Sequence, residues 1–169
     1  MSPRERRLRS DLAQLSELAE QGHLAFRTAG DPPEQYEVIF FGPGLAREPD
    51  GQLAVRRLHR CDLYLHLEYP RRPPVVTWKT PIFHPNLLPP ERNGGVCVGS
   101  WSAAESLADL CSRLHALATY RSLNPHDALD KEAAQWALDH DVTPGADVQT
   151  LATLPVGEQP VVVTQGGAR

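Results

Sequence analysis

Residues 61–68 read CDLYLHLE, and apolar and polar side chains alternate along the whole stretch. A period of two is typical of a strand with one buried and one solvated face, as in an antiparallel sheet. Working outward, Val75–Trp78 predicts the next strand, and Leu24–Thr28 and Tyr36–Phe41 predict two earlier ones. Four strands joined by short turns form a meander rather than βαβ units.

Amphipathic segments flank this predicted meander. Apolar stripes recurring every three or four residues predict three helices, at residues 4–20, Leu107–Ala118 and about Leu129–Leu138. Together with the strands they predict an α+β fold. From about residue 141 the chain is rich in Thr, Pro and Gly without helical period, although Val161–Val163 predicts a stray strand. We therefore assign residues 141–169 to a flexible C-terminal tail.

Composition narrows the functional classes. The 169 residues carry a net charge of −4, which argues against a nucleic-acid binder that relies on bulk positive charge. The N-terminal residues are charged, and no apolar stretch approaches the length of a signal segment or a membrane span. Three widely spaced cysteines make a poor disulfide framework. We expect a soluble cytoplasmic protein with free thiols that binds neither nucleic acid nor membrane.

One long connection stands out as a candidate site. The segment Pro81–Ser100, called the active-site loop below, holds too many Pro, Gly and Asn residues for regular structure, and such long loops are usually functional. Within it, Cys97 follows a glycine pair, an accessible setting that suits a thiol nucleophile. Cys61 and Cys111 fall on apolar faces of a strand and a helix, which predicts core positions.

Other cysteine chemistry finds little support in the sequence. No Cys-x-x-Cys pair is present, which argues against dithiol redox chemistry. Cys111 and His115 are spaced to lie on one helix face as two metal ligands. No second ligand pair accompanies them, so we predict no metal site.

Five short motifs occur in order along the chain: YPRRPP at 69–74, FHPN at 83–86, Cys97, Trp-Ser at 101–102 and NPHDAL at 124–129. In this order and on these predicted elements they resemble the ubiquitin-conjugating enzyme family, over about residues 5–138. The resemblance implies that family's core fold, with an N-terminal helix, a four-stranded antiparallel meander, an active-site loop and two C-terminal helices. It also implies a catalytic domain over residues 1–140.

The resemblance implies a thioester relay as the function. Cys97 would accept the C-terminal acyl group of a ubiquitin-like protein from an activating enzyme and pass it to a lysine amine of a target protein. Exchange between two thiols of similar basicity needs no strongly depressed pKa, which agrees with the lack of a general base at a fixed spacing. No cofactor is expected, because only the upstream activating enzyme consumes ATP.

The resemblance also suggests roles for three residues near Cys97. Asn86 matches the family asparagine that supports the oxyanion or the active-site loop, with a turn residue bonding its own backbone as the alternative. His84 is expected to pack and hydrogen-bond so that it shapes the loop rather than transfers protons. Asp127 matches the position that orients or desolvates the incoming lysine, while a helix N-cap is an equally good explanation of it.

Partner surfaces follow from the same resemblance. Arg4, Arg6 and Arg7 load the first turns of the N-terminal helix, where the family binds its activating enzyme. A solvated basic face is the alternative explanation. Arg71 stands where many relatives carry a Phe that docks RING-type ligases, and Ala103 stands where they carry Pro. A conventional RING ligase is therefore a doubtful partner.

The spacing around the nucleophile departs from the family pattern. The interval from Asn86 to Cys97 is longer than usual and that from Cys97 to Trp101 is shorter, so the loop is remodelled. These departures and the arginine-rich composition resemble bacterial relatives encoded beside ubiquitin-like proteins and antiviral defence genes. Two alternatives stay open: a catalytically silent variant that only binds a ubiquitin-like protein, and a thiol-dependent redox or hydrolytic enzyme that pairs Cys97 with His84.

Overall fold

The computed structural model of the chain describes residues 1–157. Its sheet contains four strands: β1 (Leu24–Gly30), β2 (Pro33–Arg47), β3 (Leu53–Tyr64) and β4 (Val75–Trp78). Each strand pairs antiparallel with the next in chain order. The predicted four-stranded meander is therefore confirmed.

The hairpin between β2 and β3 is longer than the alternation predicts. The register shifts between Phe41 and Gly44, and pairing then continues as far as Arg47 opposite Leu53. Such a bulge inserts extra residues without ending the ladder. A side chain at Gly44 would collide with the buried ring of His59. The Gly-Pro-Gly sequence at 42–44 therefore marks a bulge within a long strand rather than the end of the strand predicted at Tyr36–Phe41.

The strand predicted at residues 61–68 ends earlier, at Tyr64. Leu67, which the alternation placed on the buried face, lies in the following turn and is 84% exposed. The guanidinium of Arg4 donates hydrogen bonds to three carbonyl groups of this turn, those of Leu65, His66 and Tyr69. These bonds anchor the turn that follows β3 to α1.

Within residues 1–157 the structure has three longer α-helices and a fourth of a single turn: α1 (Pro3–Glu20), α2 (Leu107–Ala118), α3 (Lys131–Asp139) and α4 (Val148–Leu151). Capping boxes begin α1 at Ser2 and α2 at Ser106, and the Asp130 side chain caps α3. No helix within residues 1–157 is long and apolar enough to cross a bilayer.

Two apolar clusters form the core, and the FHPN motif lies between them. The larger cluster packs α1 and α2 against the sheet and includes Trp78 and Leu87. The smaller cluster packs α3 and α4 around Leu45 and includes Phe83. Because Phe83 and Leu87 lie in different clusters, residues 84–86 are held at both ends.

Part of the segment expected to be a flexible tail differs from that expectation. Val148 and Leu151 are only 4% and 5% exposed and pack in the smaller cluster beside Trp136. Asp147 caps the single turn of α4. One helical turn is too short to show a period in the sequence, although its two apolar residues cover the core. The strand predicted at Val161–Val163 lies outside the described residues.

Candidate active site

The active-site loop folds back on itself between Asn86 and Cys97. The backbone N–H of Cys97 donates to the carbonyl of Asn86 at 3.0 Å, and that of Leu88 donates to Gly95 at 2.8 Å. A short 3₁₀ helix at Pro90–Arg92 closes the tip. The residues that lengthen this interval thus form an ordered, narrow excursion, and Cys97 lies directly beside Asn86.

The tip of this excursion is anchored to the rest of the domain. Trp78 at the end of β4 donates its backbone N–H to Gly94 at 2.8 Å. Gly94 has a positive φ of 65°, and a side chain there would collide with the Trp78 carbonyl, so this position requires glycine. Arg92 forms an ion pair with Asp130 at 3.2 Å. Both contacts place the insertion against β4 and α3 instead of over the cysteine.

Cys97 is the accessible thiol of the three. Its side chain is half-buried, whereas Cys61 and Cys111 are fully buried. Burial raises the pKa of Cys111 to about 12 and that of Cys61 well above its ordinary value. Both of these thiols are inert core residues, as predicted. His115, the other half of the considered metal pair, contacts the Phe41 carbonyl through Nε2 at 2.6 Å.

Cys97 opens into a cavity of about 220 Å³. The C-terminal half of α2 and the chain that follows α2 both contribute to its lining. The residues lining the cavity beside Cys97 include Asn86, Val98, Arg113, Ala116, Leu117, Ser122, Leu123, Asn124 and Asp127. The lining therefore combines apolar and polar side chains.

The Asn86 side chain connects the active-site loop to the turn at residues 124–127. Its Nδ2 donates to the carbonyls of Asn124 and Asp127, both at 3.0 Å, and its Oδ1 accepts from the Asn124 backbone N–H at 2.8 Å. The residue is only 3% exposed. In this geometry both amide hydrogens are occupied, and the side chain holds the 124–127 turn beside the cysteine.

His84 lies beneath the loop with both ring nitrogens engaged. Nδ1 accepts the backbone N–H of Asn86 at 2.9 Å, and Nε2 lies 3.0 Å from the Ser122 carbonyl. A carbonyl only accepts, so Nε2 carries the hydrogen and the ring is neutral. Burial lowers the pKa of His84 to about 4, although the bond to Ser122 opposes this. The ring shapes the loop and has no nitrogen free to serve as a base for Cys97.

Asp127 and Asp130 have different surroundings. Asp127 is exposed at the cavity rim, and its carboxylate forms no hydrogen bond or ion pair within residues 1–157. The N-cap of α3 is Asp130, whose Oδ1 accepts from the Ala133 N–H at 3.0 Å. The helix-cap explanation of Asp127 is therefore wrong, because the N-cap lies three residues later, at Asp130.

The three arginines assigned to a partner surface differ in their exposure and in their contacts. Arg6 is exposed and contacts only the Met1 carbonyl among the described residues. Arg4 holds the turn after β3, as described above. Arg7 donates to Asp11 at 2.9 Å and to the Ala103 carbonyl at 2.6 Å. Two of the three side chains are thus committed to contacts inside the domain.

Asp11 and Arg113 are two residues that the sequence analysis missed. Asp11 is fully buried and accepts from Arg7, from the Tyr69 hydroxyl at 2.6 Å and from the Leu107 N–H at 3.0 Å. Its signal was a carboxylate on an apolar helix stripe with an arginine four residues earlier. Arg113 donates to the carbonyls that follow Cys97, and no local pattern indicates this.

The motifs at 69–74 and 101–102 contact each other. Trp101 donates its indole N–H to the Pro70 carbonyl at 2.8 Å, and its ring packs on Tyr69. Arg71 and Ala103 are both exposed on this side of the domain. The two departures from the ligase-docking pattern therefore lie at the surface.

Comparison with known proteins agrees with this geometry. A family model described as "Ubiquitin-conjugating enzyme" matches residues 7–144. Ubiquitin-conjugating enzyme E2 1 of Caenorhabditis elegans is 28% identical over 142 residues, which cover 79% of this chain and 66% of that protein. Ubiquitin-conjugating enzyme E2 S-A of Xenopus laevis is 33% identical over 100 residues, which cover 54% of this chain and 41% of that protein.

A solved structure shows the same fold. S. cerevisiae Ubc12 superposes with a TM-score of 0.60 and 24% identity, covering 82% of this chain and 72% of that one. The chain spans 66% and 41% of the length of the two curated relatives named above. Since the family model covers most of the chain, the chain belongs to the ubiquitin-conjugating enzyme family.

Proposed function

We propose that this chain carries a ubiquitin-like protein as a thioester on Cys97 and transfers it to an amine of a target protein. The family consists of transferases that use a cysteine thioester. In the first step the Cys97 sulfur attacks the activating enzyme's thioester, forming a new C–S bond and releasing that enzyme's thiol. In the second step a lysine nitrogen attacks the same carbonyl carbon, forming an amide and releasing the Cys97 thiol.

The observation that carries the proposal is the setting of Cys97. It is the accessible thiol of the three, it opens into the cavity, and His84, the histidine of its own loop, has no ring nitrogen free to act as its base. Exchange between thiols of similar basicity runs close to thermodynamic balance and needs no dedicated base. A cysteine hydrolase, in contrast, relies on an adjacent base to activate its thiol. The geometry therefore favours acyl carriage over hydrolysis.

The acceptor step is assigned to Asp127. Its carboxylate lies at the cavity rim without a partner among residues 1–157. A free carboxylate there attracts a lysine side chain, accepts its hydrogen bond and stabilises the cationic nitrogen that forms on attack. Asn86 supports this step indirectly, by holding the turn that carries Asp127.

The partners are a ubiquitin-like protein, its activating enzyme and a protein substrate. For the activating enzyme we assign Arg6, the α1 arginine of the three that remains exposed. A conventional RING ligase stays a doubtful partner on the grounds of Arg71 and Ala103. We place the relay in the cytoplasm of a bacterium with an antiviral role, on the family resemblance alone; inspection of the neighbouring genes tests this setting.

The relay is tested by mixing the protein with its cognate modifier, the activating enzyme and ATP. A reductant-sensitive adduct should appear on a non-reducing gel. Cys97→Ala should abolish it, and Cys97→Ser should give a reductant-resistant ester. Cys61→Ala, which alters a buried thiol, is the matched control and should form the adduct. An adduct on Cys97→Ala would disprove the assigned nucleophile, and binding without any wild-type adduct would support the silent variant.

A further inference from the structure

The chain between Cys97 and α2 has little backbone structure of its own. Residues 98–106, called the post-cysteine segment, contain no helix or strand. Four of its carbonyl groups accept hydrogen bonds from only two side chains. Arg113 donates to Val98 at 3.0 Å and to Ser100 at 3.1 Å, and Arg7 donates to Ala103 and Glu105. Hydrogen bonds from two arginine side chains thus take the place of the backbone–backbone hydrogen bonds of a helix or strand.

The Arg113 guanidinium is itself held in place. Its Nη2 donates to the Glu105 carboxylate at 2.6 Å, while its Nη1 serves the carbonyls of Val98 and Ser100. The Arg113 and Glu105 side chains are 38% and 29% exposed, so the pair is partly shielded from water. A planar guanidinium with three acceptors has one orientation that satisfies them all. Arg113 therefore joins the beginning of the post-cysteine segment to its end.

This fixed group lies next to the nucleophile. Arg113 lines the same cavity as Cys97, and it binds the carbonyl of the very next residue, Val98. Gly99 follows with a positive φ of 74°, so the chain turns sharply there. Because the peptide after Cys97 is held by Arg113, the direction in which the thiol enters the cavity depends on that contact.

Direct action of the Arg113 charge on the sulfur is the competing explanation. The Nη1 and Nη2 contacts already described point to backbone carbonyls and a carboxylate, and Glu105 balances the positive charge. The remaining nitrogen, Nε, is buried and has no hydrogen-bond partner among residues 1–157, so it makes no hydrogen bond to the Cys97 sulfur. The geometry therefore favours action through the backbone.

We propose that Arg113 is a positioning residue for the thioester relay: it clamps the post-cysteine segment so that Cys97 faces the incoming thioester. The inference rests on the proposed function of Cys97. It explains how an interval between Cys97 and Trp101 that is short for the family stays ordered without regular structure. It also gives Glu105 a role, as the group that orients the guanidinium.

The test compares Arg113→Met, Arg113→Lys and Glu105→Gln in the full chain. Arg27→Met is the matched control, because Arg27 forms a 2.8 Å ion pair with Glu37 but is 78% exposed on the sheet. Hydrogen exchange followed by mass spectrometry reports the order of residues 98–106, and single-turnover charging reports the chemical step. Glu105→Gln keeps the test decisive if Arg113→Met folds poorly.

With Arg113→Met we expect faster exchange in residues 98–106 and a charging rate at saturating activating enzyme at least about 10-fold lower. Arg113→Lys should recover little of this rate, because one ammonium group cannot meet all three acceptors. Glu105→Gln should fall between wild type and Arg113→Met, and Arg27→Met should match wild type. Unchanged exchange, unchanged charging or full rescue by lysine would each overturn the proposal.

A readout independent of the relay separates this proposal from the proposed function. Alkylation by iodoacetamide reports Cys97, since Cys61 and Cys111 are fully buried. We expect Arg113→Met to change the alkylation rate several-fold while keeping the shape of the wild-type pH profile. A displaced pH profile would mean that the Arg113 charge acts directly on the sulfur. An unchanged alkylation rate would contradict the proposal that Arg113 positions Cys97. Absence of any wild-type thioester would instead defeat the proposed function and leave this measurement standing.

Discussion

Asn86 and Asn124 are hydrogen-bonded to each other in both directions, although 38 residues separate them along the chain. The side-chain amide of Asn86 donates to the carbonyl of Asn124 and accepts from its backbone N–H. A third bond reaches the Asp127 carbonyl. The position of Asp127 at the cavity rim therefore depends on a side chain that lies next to Cys97.

Replacement of Asn86 should loosen that turn. Asn86→Ala leaves three partly buried backbone groups without their side-chain partner, so we expect the free energy of unfolding to fall by about 1–3 kcal/mol. Both Asn86→Ala and Asn86→Asp should also slow acyl discharge. In Asn86→Asp the reason is that a carboxylate oxygen then faces the two carbonyl oxygens of Asn124 and Asp127. Urea unfolding, hydrogen exchange at residues 124–127 and discharge onto lysine measure these effects. Normal protection of that turn with lost discharge would instead indicate direct support of the oxyanion.

The two neighbouring aspartates should separate activity from stability. Asp127→Ala should slow discharge onto free lysine at least about 10-fold but change the free energy of unfolding by no more than about 0.5 kcal/mol. Discharge onto hydroxylamine, which approaches as a neutral nucleophile, should be nearly unaffected. Asp130→Ala removes the α3 cap and should cost about 1–2 kcal/mol. Equal rates of discharge onto lysine by Asp127→Ala and wild type would contradict the role of Asp127 in the acceptor step.

The sheet and α2 were predictable because their signals are local. Alternation and helical stripes depend on which side chains face the core, and both periods are visible within eight to twelve residues. The prediction that Leu67 is buried is wrong, because β3 ends at Tyr64. The turn that follows is hydrogen-bonded to Arg4, about 60 residues earlier in the chain. The signal that misled the prediction was correct locally and was overridden by a long-range contact.

The residues of the site likewise differ in whether the sequence around them carries a local signal. Cys97 was predicted from a loop rich in Gly and Pro, and its neighbours came from a resemblance between motifs. Most partners of Asn86 and Arg113 are backbone groups, whose positions cannot be read from residue identity. Asp127 was assigned an alternative role as a cap because a capping residue is recognised by spacing, and Asp130 satisfies the same spacing better. Hydrogen bonds to backbone therefore limit what the sequence reveals here.

The short helix α4 supplies a test of the part of the expected tail that is ordered. Leu151 is 5% exposed in the smaller core cluster, whereas Gln149 in the same turn is exposed. Leu151→Ala should lower the free energy of unfolding by about 2–4 kcal/mol through lost burial and a cavity. Gln149→Ala should change it by no more than about 0.5 kcal/mol. Thermal or urea unfolding decides, and equal stability of the two variants would mean that this turn contributes nothing.

Acid should destabilise the domain through His84. The unfolded chain binds a proton at the ordinary pKa of 6.5, whereas burial holds the folded pKa at about 4. Between these values the unfolded state binds more protons, so stability is fully present above pH 6.5 and falls as the pH drops towards 4. His84→Gln keeps one donor and one acceptor but does not titrate. From pH 7 to pH 5 the wild type should lose about 2 kcal/mol more than this variant in urea unfolding, and parallel losses would show that His84 is protonated equally in both states.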